Sequence, residues 1–388
     1  MSAGASPARE RRSRTLPTLL GAFGFFGFFW GNFAVLLADL SNSLDLSPGP
    51  LGFALFVGAA ASIVAMALLG WTTDRLGRRA FLMVSAGVFG VGIFGLSLAG
   101  SYAGLLVALV TLYSASGLYD VGINASAVDL EKASGRRFMS VLHATFSAGG
   151  VAGSLLAGAL LQAGVGYRHV YLVVLIPLGA VMLAVLLTRF SPPTASEPDG
   201  KREAPKLYRN WPLLLIASIA FFGLLSEGEM EQWSGVYLLR TLELPALLGA
   251  SGVAVFYGAM AVGRLGSAWI INRLGNRQTL LGAGSLTAVG MALALATRQP
   301  PVVVVGFLIV GLALSAIVPI AFSMAGDLAP DRAGGAISVV TTLGYGGFLI
   351  GPVLVGGLAE LFGLRLALGA IALAGIVVFT LATRLKAS

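Results

Sequence analysis

Between two apolar runs the chain reads Gly70-Trp71-Thr72-Thr73-Asp74-Arg75-Leu76-Gly77-Arg78-Arg79, and a related stretch, Asn272-Arg273-Leu274-Gly275-Asn276-Arg277, follows at an offset of 198 residues. The same offset relates other short matches, which are Asp129-Leu130 with Asp327-Leu328, Gly149 with Gly347, Gly153 with Gly351, and Gly158 with Gly356. Several separate matches at one offset indicate an internal repeat. The chain is therefore predicted to consist of two related halves.

Apolar residues flank this stretch and fill most of the chain. Of the 388 residues, 57% are hydrophobic and 11% are charged, whereas a soluble domain carries about 25% charged residues. Roughly 20 apolar residues span a bilayer as a helix. Runs of that length, numbered here as spans one to twelve, are 17–39, 51–72, 80–99, 102–127, 139–163, 169–190, 212–238, 247–271, 278–297, 300–325, 335–361 and 365–384. The predicted fold is an all-α integral membrane protein whose twelve transmembrane helices form two pseudo-symmetric six-helix bundles.

The longest polar stretch divides the chain near its middle. Residues 191–211 are rich in Pro and charge and lack helical periodicity, which is typical of a linker. We therefore expect an N-terminal bundle over residues 1–190, a cytoplasmic linker over 191–211 and a C-terminal bundle over 212–388.

The distribution of positive charge predicts the orientation. With the N-terminus on the cytoplasmic side, 20 of the 25 Lys and Arg residues fall on that side and 4 on the other. Cytoplasmic loops of membrane proteins carry such an excess, and removing one span would invert every later loop and destroy the bias. We expect a multi-pass protein of the bacterial inner membrane with both termini in the cytoplasm, and we interpret the first apolar run as a retained span.

The composition argues against enzymes and nucleic-acid-binding proteins. The chain has no Cys and only two His, His143 and His169, which excludes thiolate sites and disfavours zinc and triad chemistry. The net charge of +8 is explained by the cytoplasmic loops. We expect no catalytic residue, metal or other cofactor. The expected partners are a small-molecule substrate, protons and the lipid bilayer, with no nucleic acid, and the protein is expected to be a monomer.

The stretch 70–79 resembles the G-x-x-x-D-R-x-G-R-[RK] signature of the major facilitator superfamily. That resemblance implies two bundles that rock about a central site, while this loop locks and releases one face. Asp74 can cap a helix and pair with Arg, and Gly77 permits a tight turn. Because Asn272 replaces Asp74 in the second copy, its charge pairing is expected to be weaker. The predicted gating residues are Gly70, Asp74, Arg75, Gly77, Arg78, Arg264, Asn272 and Arg273.

Four further stretches are similar to the fucose:proton symporter-like group of that superfamily. They are Asp120-Val121-Gly122-Ile123-Asn124, Leu142-His143-Ala144-Thr145-Phe146, the run from Trp233-Ser234 to Leu239-Arg240, and the run from Gly263-Arg264-Leu265 to Asn272-Arg273. The resemblance implies secondary active transport by alternating access, namely proton-coupled symport of a sugar or similar small polar solute.

Asp120 is the principal candidate for proton coupling. It lies in the apolar span four, where a carboxylate costs roughly 2.5–3.5 kcal/mol on insertion scales. Asn124 follows four residues later on the same helical face and can orient the carboxyl or bind substrate. The resemblance to the symporter-like group implies a second proton-coupling carboxylate in span one, which would be Asp39 at its outer end; Asp39 could equally be a solvated helix-end charge. Asn32 lies deeper in span one and is a candidate substrate-binding residue.

Span seven is unusually acidic. Glu227 and Glu231 share a helical face and Glu229 points away from it. Glu227 is a candidate for proton coupling, and the candidate substrate-binding residues in this span are Glu231, Gln232, Trp233 and Tyr237. These acids could instead lie at the outer rim of the membrane. If they line a cavity, they disfavour a neutral sugar as the substrate, and a cationic substrate remains an alternative.

Two polar residues in other spans are interpreted as structural rather than as substrate-binding or pH-sensing residues. Arg264, inside span eight, needs a partner, and pairing with another span is favoured over binding an anionic substrate. His143 is interpreted as a packing or interfacial histidine rather than a pH sensor.

Span five bears on the direction of transport. Drug:proton antiporters of the superfamily carry a Gly-Pro pair there, and this chain has Ser154 where Pro is expected, which argues mildly against export. A proton-coupled exporter of drugs or metabolites remains the alternative function. A membrane enzyme or transport-inactive sensor lacks any supporting motif.

Overall fold

The computed structural model describes residues 7–190, 209–329 and 333–385, with side chains described from Arg14 onward and again from Gly335 in the last segment. The helices in these ranges are Pro7–Ser43, Pro48–Leu69, Thr72–Leu76, Arg78–Leu98, Tyr102–Ser134, Met139–Gln162, Tyr167–Leu187, Trp211–Val236, a π-helical turn Tyr237–Thr241, Ala246–Ala296, Pro300–Leu314, Ile317–Leu328, Ala333–Phe362, Leu364–Ala367 and Gly369–Thr383. The predicted linker falls outside the described residues as far as residue 208, and the next helix begins at Trp211.

The described helices account for twelve spans. Eleven are long and apolar enough to cross a membrane, and Ala246–Ala296 has 51 residues. At 1.5 Å per residue that helix would be about 76 Å long, more than twice the hydrocarbon thickness of a bilayer. It is broken at Gly275, where φ is 77° and ψ is 165°. The segments before and after Gly275 are spans eight and nine, so the prediction of twelve transmembrane helices in two pseudo-symmetric bundles is confirmed.

The internal repeat is visible in the backbone itself. Gly77 has φ of 76° and ψ of 151°, close to the values at Gly275, its equivalent 198 residues later. In the described part of the chain the two non-glycine residues with positive φ are Asp45 (49°) and Glu243 (54°), which are separated by the same offset. Such conformations are uncommon away from glycine. Their recurrence shows that the loops of the two halves follow the same path.

The repeat also extends to a side-chain contact beside each of these turns. The guanidinium of Arg75 stacks over the ring of Trp71 at 4.3 Å, and Arg273 stacks over Trp269 at 4.3 Å, again 198 residues later. Both Trp rings are more than half exposed. A Trp at the membrane–water boundary places its apolar ring against lipid and its polar edge against water. The exposure of Trp71 and Trp269 is that expected of anchors at such a boundary.

Glycine contacts bring the innermost helices of each half together. A Cβ atom on Gly149 of span five would overlap the carbonyl oxygen of Gly24 in span one, and one on Gly347 of span eleven would overlap that of Phe221 in span seven. Small residues let backbones approach closely in membranes, where lipid supplies no hydrophobic drive for association. Spans one and seven are therefore positioned as equivalents, at an offset of 197.

Hydrogen bonds identify the two faces of the molecule. Thr18, early in span one, bonds to Thr188 after span six (2.7 Å), and Arg277, at the start of span nine, donates to the carbonyl of Thr383 at the end of span twelve (3.3 Å). We call this side the termini-bearing face and the other side the opposite face. The opposite face includes the turn between spans one and two at Asp45.

The two halves are joined at the opposite face. The backbone N–H of Gly49 donates to Glu360 Oε2 (2.8 Å), and Arg240 Nη1 donates to Ser41 Oγ (3.0 Å) and to the carbonyl of Leu46 (3.1 Å). Close by, spans two and eleven are packed so tightly that a Cβ on Gly52 would approach the Cα of Gly356 to 2.9 Å. The structure is therefore closed at this face.

Substituting Gly275 with Ala should destabilise the protein. The observed φ and ψ lie in a region that is essentially restricted to glycine, and holding another residue there costs about 1–3 kcal/mol. The melting temperature of the purified protein in detergent measures the effect. Gly266→Ala is the matched control, because Gly266 lies in the same helix without positive φ, and nothing lies within 4 Å of an added Cβ. Equal melting temperatures for the two variants would contradict the interpretation of Gly275 as an obligatory break.

Candidate functional site

A charged pair lies at the centre of the helical bundle. Arg264 Nη2 of span eight donates to Glu227 Oε1 of span seven at 2.7 Å, and Arg264 Nη1 donates to Ser147 Oγ of span five at 3.0 Å. The second bond crosses from the C-terminal half to the N-terminal half. The side chains of Arg264 and Glu227 are 21% and 13% exposed. Arg264 therefore has the partner that its position inside span eight required, and it also links the two halves.

A second carboxyl of span seven lies beside this pair. Glu231 is one helical turn after Glu227, on the same face, and is partly buried. It is within electrostatic reach of Glu227, Arg264 and the hydroxyl of Tyr257 in span eight, and Tyr113 in span four lies close enough to sense its charge. Two carboxyls and one guanidinium thus share this region.

Asp120 and Asn124 of span four form the N-terminal side of the same region. Asn124 Nδ2 donates to Asp120 Oδ1 at 2.9 Å and to the Asp120 carbonyl at 2.9 Å. Tyr345 of span eleven lies within electrostatic reach of both Asp120 and Glu227. We name Asp120, Glu227, Glu231 and Arg264 the central cluster. It contains three carboxyls and one guanidinium, contributed by both halves.

The side chains of the central cluster are partly exposed, and Tyr345 beside it is 37% exposed. The two halves are packed together at the opposite face, so that side offers no entry between them. Partial exposure reduces the cost of holding the ion pair among membrane-spanning helices.

His143 borders the cluster without a hydrogen-bonding role in the described contacts. Its ring packs edge-on against Phe23 of span one, with the ring centroids 5.3 Å apart, and it lies within electrostatic reach of Arg264. This geometry is that of a packing histidine at the edge of a charged site.

Two predicted residues of span one lie outside the cluster. Asn32 is fully buried, its Nδ2 donates to the carbonyl of Phe28 at 2.8 Å, and its amide is packed against Gly153 of span five. Asp39 lies further toward the opposite face, where Tyr171 of span six is within its electrostatic reach. The structure therefore places Asn32 in a helix–helix contact and Asp39 apart from the other candidate proton-binding residues.

Three predicted substrate-binding residues also lie away from the cluster. Gln232, Trp233 and Tyr237 are at most 2% exposed. Gln232 and Trp233 project from the opposite side of span seven to Glu227 and Glu231, because successive residues of a helix are about 100° apart. Tyr237 packs against Phe307 of span ten, within the C-terminal half, with ring centroids 6.5 Å apart. Tyr237 is thus directed into the C-terminal half, and Gln232 and Trp233 are enclosed by protein on other sides of span seven than the cluster.

Two of the predicted gating residues of the N-terminal half, Asp74 and Arg78, form an ion-pair triad with Asp129, which was not predicted. Arg78 Nη1 donates to Asp74 Oδ1 (2.8 Å) and to Thr73 Oγ1 (3.1 Å), and Arg78 Nε donates to Asp129 Oδ2 (2.6 Å) near the end of span four. Arg78 and Asp129 are 5% and 4% exposed. The triad fixes the turn after span two against span four. Gly70 ends span two and Gly77 forms the turn before Arg78.

The C-terminal half lacks this triad. Asn276 occupies the position equivalent to Arg78, Asn272 that of Asp74, and Asp327, the equivalent of Asp129, is exposed. Arg273 stacks on Trp269, as described above. Asp129 recurs in the second half as Asp327. This repetition was the one sign in the sequence that Asp129 is structurally important, but it did not identify Arg78 as its partner.

Among the described residues, no three His, Asp or Glu side chains are grouped so as to hold a metal ion.

Comparisons with known proteins agree with this architecture. The family model for the Major Facilitator Superfamily matches residues 19–296 and, in a second overlapping match, 251–387. An uncharacterized MFS-type transporter of Yersinia pestis is 33% identical over 348 residues, which is 88% of each chain.

Two solved structures share the fold. The nucleoside transporter NupG, in a mutant form, superposes with a TM-score of 0.78 at 13% identity over 96% of this chain and 100% of that one. A bacterial homologue of the human lysosomal transporter Spinster, in an inward-facing and unoccupied conformation, superposes with a TM-score of 0.77 at 17% identity over 98% of each chain. With the family model matching nearly the whole chain and the central cluster lying between two repeated bundles, the chain belongs to the Major Facilitator Superfamily.

Proposed function

We propose that this protein is a proton-coupled secondary active transporter that moves a small polar solute by alternating access. The central cluster is the observation that supports this function. It places three carboxyls and one guanidinium between the halves, at the depth where repeat-built transporters bind substrate and coupling ions. The termini-bearing face is cytoplasmic in this proposal, because it carries the excess of Lys and Arg.

Asp120 is the proton-coupling carboxyl. It has an amide partner, Asn124, and no cation within hydrogen-bonding distance among the described residues. Its ionised form therefore lacks the stabilisation that Arg264 gives Glu227. Where water is scarce, the neutral form is favoured, and hydration from either side during the cycle permits proton exchange. Proton movement across 100 mV supplies about 2.3 kcal/mol per charge.

Arg264 couples the binding site to the movement of the halves. It holds Glu227 within its own half and Ser147 across the interface. Rocking of the bundles must break or stretch the bond to Ser147, and a solute or proton that engages Glu227 alters the pairing of Arg264. The contacts of Arg240 and Glu360 at the opposite face would open in the alternate state.

The substrate is a sugar or similar small polar solute taken up by symport. Asn124 and the carboxyls of the cluster offer the hydrogen-bonding groups that hydroxylated solutes require. The resemblance of spans four, five, seven and eight to the fucose:proton symporter-like group supports this assignment, and the similarity in fold to a nucleoside transporter is compatible with it.

Export of a cationic drug or metabolite in exchange for protons is the second candidate. The specific observation in its favour is the charge of the central cluster, where three carboxyls face one guanidinium. A positively charged solute would compensate the excess of negative charge. Proteoliposomes with an imposed pH gradient separate the candidates, because a symporter accumulates the solute on the side that protons enter and an exchanger on the side that they leave.

Asp120→Asn should abolish proton-driven accumulation and preserve exchange of solute. Purified protein is first screened by thermal shift against sugars, nucleosides and organic cations, and the stabilising solute becomes the transport probe. We expect gradient-driven uptake in proteoliposomes to fall by about 5- to 150-fold, corresponding to the 1–3 kcal/mol of a typical coupling free energy. Counterflow without a gradient should persist, because the amide retains the hydrogen bond to Asn124.

Asp45→Asn is the matched control for this variant. This variant makes the same change from carboxyl to amide at an exposed loop position outside the cluster. Asn also tolerates the positive φ of this position. Full uphill transport by Asp120→Asn would refute the proton-coupling role of this carboxyl.

The pairing of Glu227 with Arg264 should appear as non-additive stability. Glu227→Gln leaves a guanidinium without its counter-ion, and Arg264→Gln leaves a carboxylate without its cation. Each should cost about 1–3 kcal/mol in the free energy of unfolding. The double variant should recover about 0.5–3 kcal/mol relative to the sum of the singles. Denaturation in detergent measures all three, with the exposed Arg298→Gln as control. Strict additivity would show that the two side chains do not interact.

A further inference from the structure

A fully buried carboxyl lies outside the central cluster. Glu229 of span seven is 0% exposed, and neither carboxyl oxygen has a hydrogen-bond partner among the described residues. Its side chain is packed on span eleven so closely that a Cβ on Gly351 would overlap Oε1. An isolated ionised carboxylate in such surroundings is very costly, and the group instead becomes neutral by binding a proton. The transport proposal above does not use Glu229.

The internal repeat shows that this position does not require a carboxyl for packing. Asn32 is equivalent to Glu229 at the offset of 197, and it packs against Gly153 of span five as Glu229 packs against Gly351 of span eleven. Both side chains are 0% exposed. The N-terminal half fills the site with an amide, which cannot titrate. The C-terminal half places an ionisable group in the same structural position.

Unpartnered polar groups lead from Glu229 toward the opposite face. Gln232 is one turn away, Trp233 follows at four residues, and Tyr237 comes four residues later, where the helix changes to a π-helical turn. Their side-chain amide, indole N–H and hydroxyl are buried and without partners among the described residues. Buried polar groups of this kind are normally satisfied by ordered water. From Glu229 to Tyr237 the row extends about 12 Å along the helix axis.

Most charged and titratable groups around span seven make contacts away from this row, whereas Arg365 and Arg298 lie within electrostatic reach of Tyr237 at its far end. Spans one, eight, ten, eleven and twelve pack against span seven. Within span seven, Glu227 and Glu231 face the central cluster, on the other side of the helix. The groups of the neighbouring helices are Asp39 toward the opposite face, Arg264, Tyr257 and Tyr345 at the central cluster, Asp327 at the termini-bearing face, Glu360 bonded to Gly49, and Arg365 bonded to the carbonyl of Leu295.

We propose that Glu229 is a second proton-binding site, enclosed in the C-terminal half and supplied by a hydrated row of polar groups from the opposite face. Its carboxylate takes one proton from this water to become a carboxylic acid, and it returns the proton when the row is hydrated again. In this structure, which is closed at the opposite face, the neutral acid packs against Gly351. Loss of the proton creates a charge that needs water, which favours separation of spans seven and eleven.

This inference rests on the proposed function and extends it to two protons per cycle, one on Asp120 and one on Glu229. The two sites differ in surroundings. Asp120 lies in the central cluster, is partly exposed and is bonded to Asn124. Glu229 is enclosed in one half, so its proton exchange depends on hydration within that half.

Infrared difference spectroscopy of the purified full-length protein in lipid nanodiscs tests the proposal without a known substrate. The carbonyl stretch of protonated carboxyl groups is recorded across a pH titration in H₂O and D₂O. Wild-type protein should show a titrating band that is absent from Glu229→Gln and that shifts in D₂O. The neutral amide keeps the shape and hydrogen-bonding capacity of the side chain and removes only proton exchange. Proton release measured in parallel should fall by about one proton per molecule.

Three further variants make the outcome decisive. Thr287→Val removes an equally buried, unpartnered hydroxyl from span nine of the same half and should leave the carboxyl bands unchanged. Glu229→Asn replaces Glu229→Gln if that variant fails to fold, because Asn is the residue already accommodated at the equivalent position of the other half. Asp120→Asn should remove a separate band.

Identical titrating bands in wild-type protein and the Glu229 variants would overturn the second site. If the Asp120 band titrates and the Glu229 band does not, the proposed function stands without this extension. If the Glu229 band titrates while Asp120→Asn changes nothing, the assignment of Asp120 fails instead.

Discussion

A charge inside the membrane must be paired, hydrated or neutralised, and this constraint organises the interior of the protein. A guanidinium among membrane-spanning helices, such as that of Arg264, needs an anion and further acceptors wherever it lies. Glu227 supplies the anion and Ser147 supplies an acceptor from the other half. One guanidinium therefore connects spans five, seven and eight. The other carboxyls of the central cluster form no ion pair within the described part of the chain.

Close packing is the second requirement, and glycine meets it in the same way in both halves. The contact between Gly149 and span one recurs between Gly347 and span seven. On this shared scaffold the side chains have diverged. Arg78 is bonded to two carboxyls at the termini-bearing face of the N-terminal half, whereas Asn276 occupies that position in the C-terminal half. At another pair of equivalent positions the ionisable residue lies in the C-terminal half, where Glu229 corresponds to Asn32 of the N-terminal half. The backbone is thus symmetric, while the ion-pair triad of Arg78 and the buried carboxyl of Glu229 belong to different halves.

Contacts along one helix were accessible from the sequence. The four-residue spacing of Asp120 and Asn124 predicted the observed hydrogen bond, and the helical period placed Glu229 on a different side of span seven from Glu227. The absolute direction of each side was not accessible, because the period fixes only relative angles. Gln232 and Trp233 were therefore expected at the substrate site, and they are enclosed by protein on other sides of span seven. Contacts between distant parts of the chain, such as Arg78 with Asp129 or Arg264 with Ser147, depend on which helices become neighbours.

The sequence by itself determined that this chain spans a membrane twelve times and that it folds as two copies of one plan. Hydrophobicity sets where the chain crosses the bilayer, and the repeat, together with the glycine turns at Gly77 and Gly275, sets the shared path. Only the tertiary structure decided which polar residues meet in the centre, which are sealed in one half and which face of the assembly is closed. Those properties arise from the rotation and tilt of packed helices, which small residues and buried charges adjust jointly and which no single helix encodes.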